Sequence, residues 1–205
     1  MLDKIKLFFE QSWLLLVASV AFGLLLALTN IAWRQRIVDN EIKKFNDLAG
    51  AMITSADNFK VAVVGKDMLI KIKGKGVPTE IKQALDASGN TLGWAFVAEG
   101  SGFADKIRLV VTVDKSFEKI CGFGVLSSNE TPGFGDKVKT ETFFPDQFKG
   151  APAAEFALSR IGDNKLIDSE IIAITGATVT SESVVKILNN FISQVKTQMK
   201  EKGLI

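Results

Sequence analysis

The apolar positions of this chain follow three successive patterns. From Trp13 to Trp33 no charged residue interrupts a run rich in Leu, Val and Ala, which matches the roughly 20 residues a helix needs to cross a bilayer. A Trp stands at each end of that run, where interface-preferring aromatics belong, and the run is too long for the apolar stretch of a cleaved signal. Beyond it Ile37, Val38, Ile42, Phe45, Leu48, Ala49 and Met52 recur at helical spacing and predict a linker helix. From Phe59 the period shortens. Val61 to Val64, the turn Gly65-Lys66-Asp67, then Met68, Ile70 and Ile72 alternating with Lys71 and Lys73, predict a hairpin, with a loop over Gly74 to Pro78. Ile107, Leu109, Val111 and Val113 predict a strand that Lys115 to Glu118 turns back. Phe143 to Gly150 is expected as a loop with aromatic anchors, Ala151 to Ile161 as a short helical or irregular segment, and Gly162 to Lys165 as a turn.

The helical period returns at the end. Val184, Val185, Ile187, Leu188, Phe191, Ile192, Val195 and Met199 share one face, so a helix is predicted to begin near Thr180 or Ser181. The chain therefore divides into a tail (1–12), a transmembrane helix (13–33), a linker helix (34–58) and a soluble domain (59–205). The domain is expected to be α+β: a twisted, mainly antiparallel sheet of about six strands backed by the C-terminal helix, on a single anchor. Because the strand pattern begins only near Phe59, a chain starting near Asp47 is expected to fold without that anchor.

An internal duplication occupies the middle. Gly93-Trp94-Ala95-Phe96-Val97 leads to Gly102-Phe103-Ala104-Asp105-Lys106-Ile107, and Gly122-Phe123-Gly124-Val125-Leu126 leads to Gly133-Phe134-Gly135-Asp136-Lys137-Val138. In each copy a strand opening on Gly runs into a glycine loop that ends in Asp-Lys. Two related units of this kind suggest paired halves of one sheet enclosing a cleft.

Composition narrows the chemistry. The net charge is only +2 and both signs are interspersed, so nothing favours nucleic acid. With no histidine and the single Cys121, the usual zinc, haem and cysteine-ligated iron–sulfur sites are not available within this chain, and no metal site or catalytic residue is assigned. Cys121, between Ile120 and Gly122, reads as a buried strand residue.

Candidate chemistry gathers at the start of the last helix, where Thr175, Thr178, Thr180 and Ser181 surround Gly176 and Ala177. Unpaired N–H groups and the positive end of the helix dipole favour a phosphate there, although hydroxyls that merely cap the helix would look the same. The string Thr175-Gly176-Ala177-Thr178 resembles the [Ser/Thr]-Gly-Ala-Thr signature of the FMN-binding domain in the G subunit of Rnf electron-transport complexes and the C subunit of sodium-pumping NADH:quinone reductases. The segment Glu130-Thr131-Pro132-Gly133-Phe134-Gly135-Asp136-Lys137 resembles the Glu-Thr-Pro-Gly-Leu-Gly segment of the same family, with Phe134 for the usual leucine. The family usually has Asp three residues before the signature, where this chain has Ile172.

The resemblance implies FMN held covalently by a phosphoester on Thr178, placed there by a separate flavin transferase. It also implies a cofactor site built from Thr175, Gly176, Ala177, Thr178, Thr180 and Ser181 together with Glu130, Thr131, Pro132, Gly133, Gly135 and Lys137. The expected function is electron transfer as the G subunit of a membrane-bound, ion-translocating complex, with the other membrane subunits as partners. Alternatives are the C subunit of a sodium-translocating NADH:quinone reductase, and a membrane-anchored FMN-binding regulatory domain without redox turnover. The chain has no GxGxxG fingerprint, so NADH is expected to be handled by another subunit. The resemblance implies a bacterial or archaeal cell membrane with the flavin domain outside. Positive charges alone, Lys4 and Lys6 before the span against Arg34, Arg36, Lys43 and Lys44 after it, lean mildly the other way.

Overall fold

The structure, a computed structural model, describes residues 2–72 and 74–205, with side chains from residue 12 onward apart from Lys73. The side chains of Lys4 and Lys6 and the expected outward face of Lys73 lie outside the described residues. Helix α1 runs Leu2–Met52 without a break, so the expected tail, span and linker are parts of one helix. The chain forms two compact units, 1–43 and 44–205. In the first, Leu, Val, Phe and Ile side chains are exposed on all sides of the helix, as in a segment built for an apolar solvent. Among the described residues one helix is long and apolar enough to cross a membrane. Its Trp33 ring carries the Arg36 guanidinium at 5.8 Å from the ring centre.

The second unit begins with the end of α1 and continues through β1 (Asn58–Val63), β2 (Leu69–Ile72), β3 (Lys75–Pro78), β4 (Ile81–Leu85), β5 (Thr91–Ser101), β6 (Lys106–Asp114) and β7 (Ile120–Ser128). Then come the single-turn helices α2 (Lys137–Thr140) and α3 (Phe143–Asp146), strands β8 (Ala157–Ser159) and β9 (Glu170–Ile172), and helix α4 (Thr178–Glu201). The main sheet has five antiparallel strands in the order β1-β4-β5-β6-β7. Alternation on β6 sends Ile107, Leu109, Val111 and Val113 into the large core with Val184, Leu188, Phe191 and Val195 of α4. Val110, between them, points to the opposite face, where Ala95 and Leu126 meet Phe45 and Ala49 of α1.

Several expectations change. The predicted hairpin does not form, because β1 pairs with β4 across the sheet while β2 pairs with β3, the segment expected as a loop. Pairing with β4 lets Val63 join the core, and the two-stranded β2–β3 ribbon is tied to α4 by Gln194 and Gln198, which bond the backbone of Lys71 and Leu69. The main sheet has five strands rather than six. The segment after Ala151 contains β8, which runs parallel to β9. Phe144, Phe148 and Phe156 do anchor their segment, packing edge to face with Phe123 in a chain of rings. The last part of the expected linker is core: Phe45 and Ala49 are buried, Leu48 and Met52 lie over Gly124 and Gly122 of β7, and the Lys44 ammonium bonds the Leu126 carbonyl. The start near Asp47 would remove Phe45 from that face.

Candidate functional site

The sheet topology turns the sequence duplication into a site. β5 and β7 flank β6 and are both antiparallel to it, so they run in the same direction and the loops that follow them leave from the same edge. Those loops are the two glycine segments. They bring Phe103 and Phe134, at equivalent positions of the two copies, to a cleft of about 490 Å³ that Thr131, Gly135, Gly176, Ala177, Thr178, Val179 and Thr180 complete. Phe103 is 68 % exposed, Phe134 61 % and Val179 53 %. Large apolar side chains left open around one polar-floored concavity are the usual signature of a ligand with an apolar, planar part.

The floor is the start of α4. The helix begins at Thr178, two residues earlier than the apolar period predicts, and no side chain caps it. Gly176 takes the left-handed conformation (φ +81°) that closes the turn from β9 into the helix. Ser181 braces that turn instead of capping: its hydroxyl donates to the Ala177 carbonyl at 3.0 Å and accepts the Ile174 N–H at 3.2 Å. The first N–H groups of α4 are thus left without a side-chain acceptor, which favours an anion beside them. The Lys137 ammonium, 3.3 Å from the Thr175 carbonyl, adds a positive charge next to the turn. Thr178 also lines a second cleft, of about 470 Å³, with Arg160 and Lys186 on its wall.

The four hydroxyls are not equivalent. Thr180 and Ser181 are buried and hydrogen-bonded within the protein. Thr175 is exposed and does not line the cleft. Thr178 is half-buried, lines the cleft, and its hydroxyl has no hydrogen-bond partner among the described residues.

Of the residues expected from sequence, Thr131, Gly135, Gly176, Ala177, Thr178 and Thr180 line the cleft. Pro132 and Gly133 sit on the exposed outer turn of their loop. Glu130 is buried behind the wall, with the Thr180 hydroxyl donating to its Oε2 at 2.7 Å and the Ala104 N–H to its Oε1 at 3.0 Å. Asp105, at the end of the first loop, accepts from Asn129 at 2.8 Å. That hydrogen bond, with the Lys106 N–H and charge, holds its carboxyl below the usual carboxylate range. Phe103, Phe134 and Val179 are the lining residues that motif reading missed. The duplication carried the signal for the first two, since it gives both phenylalanines the same place in their loops.

Residues 102–193 match the FMN-binding domain family. The chain is 33 % identical over 141 residues to the G subunit of the proton-translocating ferredoxin:NAD(+) oxidoreductase complex of Clostridium ljungdahlii, covering 69 % of this chain and 71 % of that one. It is 29 % identical over 189 residues to the G subunit of the Na(+)-translocating ferredoxin:NAD(+) oxidoreductase complex of Acetobacterium woodii, covering 90 % and 89 %. Against the G subunit of the ion-translocating oxidoreductase complex of Methanosarcina acetivorans it is 32 % identical, over 57 % of this chain and 58 % of that protein's length. The fold is similar to the crystal structure of Shewanella oneidensis NqrC, with TM-score 0.52, 24 % identity, and coverage of 72 % and 73 %. It is also similar to the C subunit of the Na(+)-translocating NADH-quinone reductase from Parabacteroides distasonis, with TM-score 0.53, 17 % identity, and coverage of 78 % and 95 %.

Proposed function

The chain belongs to the family of G subunits of ion-translocating oxidoreductase complexes, and we propose that it carries electrons there through FMN held covalently, by its phosphate, on Thr178. The observation that carries this reading is the Thr178 hydroxyl, without a partner among the described residues, at the junction of an apolar cleft and an uncapped helix start. The donor set suits the group. Two exposed phenylalanines and Val179 match a planar ring, the free N–H groups of α4 match a phosphoester, and Lys137 balances its remaining charge. FMN in such a site supplies one-electron chemistry.

The work of the chain is to hold that group and set its surroundings. Gly176 and Ala177 leave little bulk beside the Thr178 hydroxyl, so a flavin transferase can reach it. Thr180 and Ser181, enclosed by protein, are poor acceptors for transfer. Phe103 and Phe134 shield one region of the cleft from water, while Thr131 and Gly135 border it with backbone N–H groups able to face ring carbonyls. Lys137 holds its ammonium beside Thr175 and Gly176, in the turn that leads to Thr178, where it would offset the charge of a phosphoester.

In this reading α1 anchors the domain, the other membrane subunits of the complex are its partners, and the flavin faces the extracytoplasmic side. The two relatives named as components of ferredoxin:NAD(+) oxidoreductases support electron flow between those two carriers, with the nicotinamide bound elsewhere in the complex. The test is co-expression with a flavin transferase, followed by denaturing gel fluorescence and intact mass. A chain that gains the mass of FMN in the wild type and not in Thr178→Val supports the reading; an FMN mass retained by Thr178→Val refutes the attachment site.

A further inference from the structure

Glu130 belongs to the family-like loop, yet it is 5 % exposed and both its oxygens are engaged by protein donors. Oε2 accepts from Thr180 on α4, and Oε1 accepts from the Ala104 N–H, with the Asp105 N–H further off at 3.5 Å. One side chain therefore joins three segments distant in sequence: the first glycine loop, the second glycine loop and the start of the helix that carries Thr178. The two loops are shaped around it. A Cβ at Gly135 would stand 2.5 Å from Glu130 Oε2 and 2.7 Å from the Thr180 hydroxyl, and a Cβ at Gly102 would collide with Glu130 Oε1. Each oxygen is cradled by one glycine, and each glycine is the immediate neighbour of one cleft phenylalanine, Gly102 of Phe103 and Gly135 of Phe134.

We propose that Glu130 is the positioning residue of the cleft, a clamp that fixes the separation of Phe103, Phe134 and the start of α4 and thereby orders the ring of a flavin attached at Thr178. The proposal rests on the flavin reading of the cleft for its consequence, though the clamp itself does not. The group suits the task because the polar groups that its oxygens meet, the Ala104 and Asp105 N–H and the Thr180 hydroxyl, donate to it, and a carboxylate is acceptor only. Glutamine keeps one acceptor oxygen for the Ala104 N–H, and the Thr180 hydroxyl can rotate to accept from its amide, so Glu130→Gln preserves the three-way tie. Glu130→Ala leaves all of these donors unpaired.

The test uses the full chain in detergent, flavinylated by co-expression with a flavin transferase, and reads flavin anisotropy and midpoint potential beside covalent mass. Glu130→Ala is expected to keep the FMN mass, lose anisotropy and shift the potential, and Glu130→Gln to restore both toward wild type. A role confined to stability would lower the melting temperature and leave both flavin readouts in place below it. Wild-type anisotropy and potential in Glu130→Ala, or a Glu130→Gln chain as impaired as Glu130→Ala, overturns the clamp. Where Glu130→Ala does not fold, Thr180→Val and Gly102→Ala disturb one oxygen each, and wild-type anisotropy in both overturns it. Amide hydrogen exchange of unflavinylated protein separates the two readings. Faster exchange at Ala104 in Glu130→Ala, or in Thr180→Val and Gly102→Ala if it does not fold, upholds the clamp even if Thr178 carries no flavin, and unchanged exchange refutes it.

Discussion

Attachment and stability should separate cleanly between two threonines two residues apart. Thr178 has a hydroxyl without a protein partner, and Val has nearly the same volume and helix propensity, so Thr178→Val is expected to change stability by no more than about 0.5 kcal/mol. Thr180 is 2 % exposed and donates to a buried carboxylate at 2.7 Å. A hydrogen bond to a charged group contributes about 1.5–3 kcal/mol, and the Thr180→Val side chain cannot replace it. For a folded unit of about 160 residues, where 1 kcal/mol moves the midpoint by about 2–4 °C, this gives a fall of roughly 3–12 °C. The assay is thermal unfolding of each full-length variant in detergent, followed by circular dichroism, with gel fluorescence on the same samples. Thr178→Val should melt with the wild type and carry no flavin; Thr180→Val should melt early and carry it. Wild-type melting of Thr180→Val would show that the bond to Glu130 contributes nothing, and flavin lost from Thr180→Val but kept by Thr178→Val would reverse the assignment.

Phe103→Ala and Phe134→Ala, singly, should keep the FMN mass while lowering flavin fluorescence anisotropy, because a wall of the cleft is lost and the ring gains freedom; unchanged anisotropy in both would take the phenylalanines out of the site. Phe45→Ala should destabilise the second compact unit by about 3 kcal/mol in chemical denaturation, since the ring is buried, lies edge-on to Phe59 at 6.1 Å and carries the Lys82 ammonium at 4.2 Å. By the same packing, a chain beginning at Arg36 should elute as a soluble folded species and one beginning at Asn58 should aggregate; equal behaviour of the two would free α1 from the core. Asn129→Ala should raise the Asp105 carboxyl toward its ordinary value, read by NMR titration, because the Asn129 hydrogen bond is the largest cause of its lowering. A depressed carboxyl contributes stability fully present above its unfolded value and lost as pH falls through the folded one, so the first glycine loop should loosen only in acid below the usual carboxylate range.

Features that depend on neighbours along the chain are legible in the amino-acid order alone. The uncharged run from Trp13 to Trp33, the alternation of β6 and the apolar face of α4 are local periodicities, and a period of two or of 3.6 is written into the residues that make it. The Thr-Gly-Ala-Thr turn is legible for the same reason, as a string whose conformation is set within a few residues. The start of α4 is displaced from its expected place only because Thr178 and Val179 contribute no apolar repeat to mark it.

What pairs with what is decided in three dimensions. Val61 and Met68 look like the two arms of a hairpin, but β1 gains more by lying beside β4, where Val63 reaches the core and α1 can cover the outer face. Phe45 belongs to that face only because the sheet presents Ala95, Val110 and Leu126 to it. Glu130 is expected at the cofactor site through the resemblance of its loop, and the amino-acid order does not show the donors that turn its side chain inward. Those donors come from Ala104 and Thr180, about 26 residues before it and 50 after. Burial and hydrogen-bond satisfaction are sums over residues brought together by folding, so the residue types set what each position can do and the tertiary contacts choose which of those things it does.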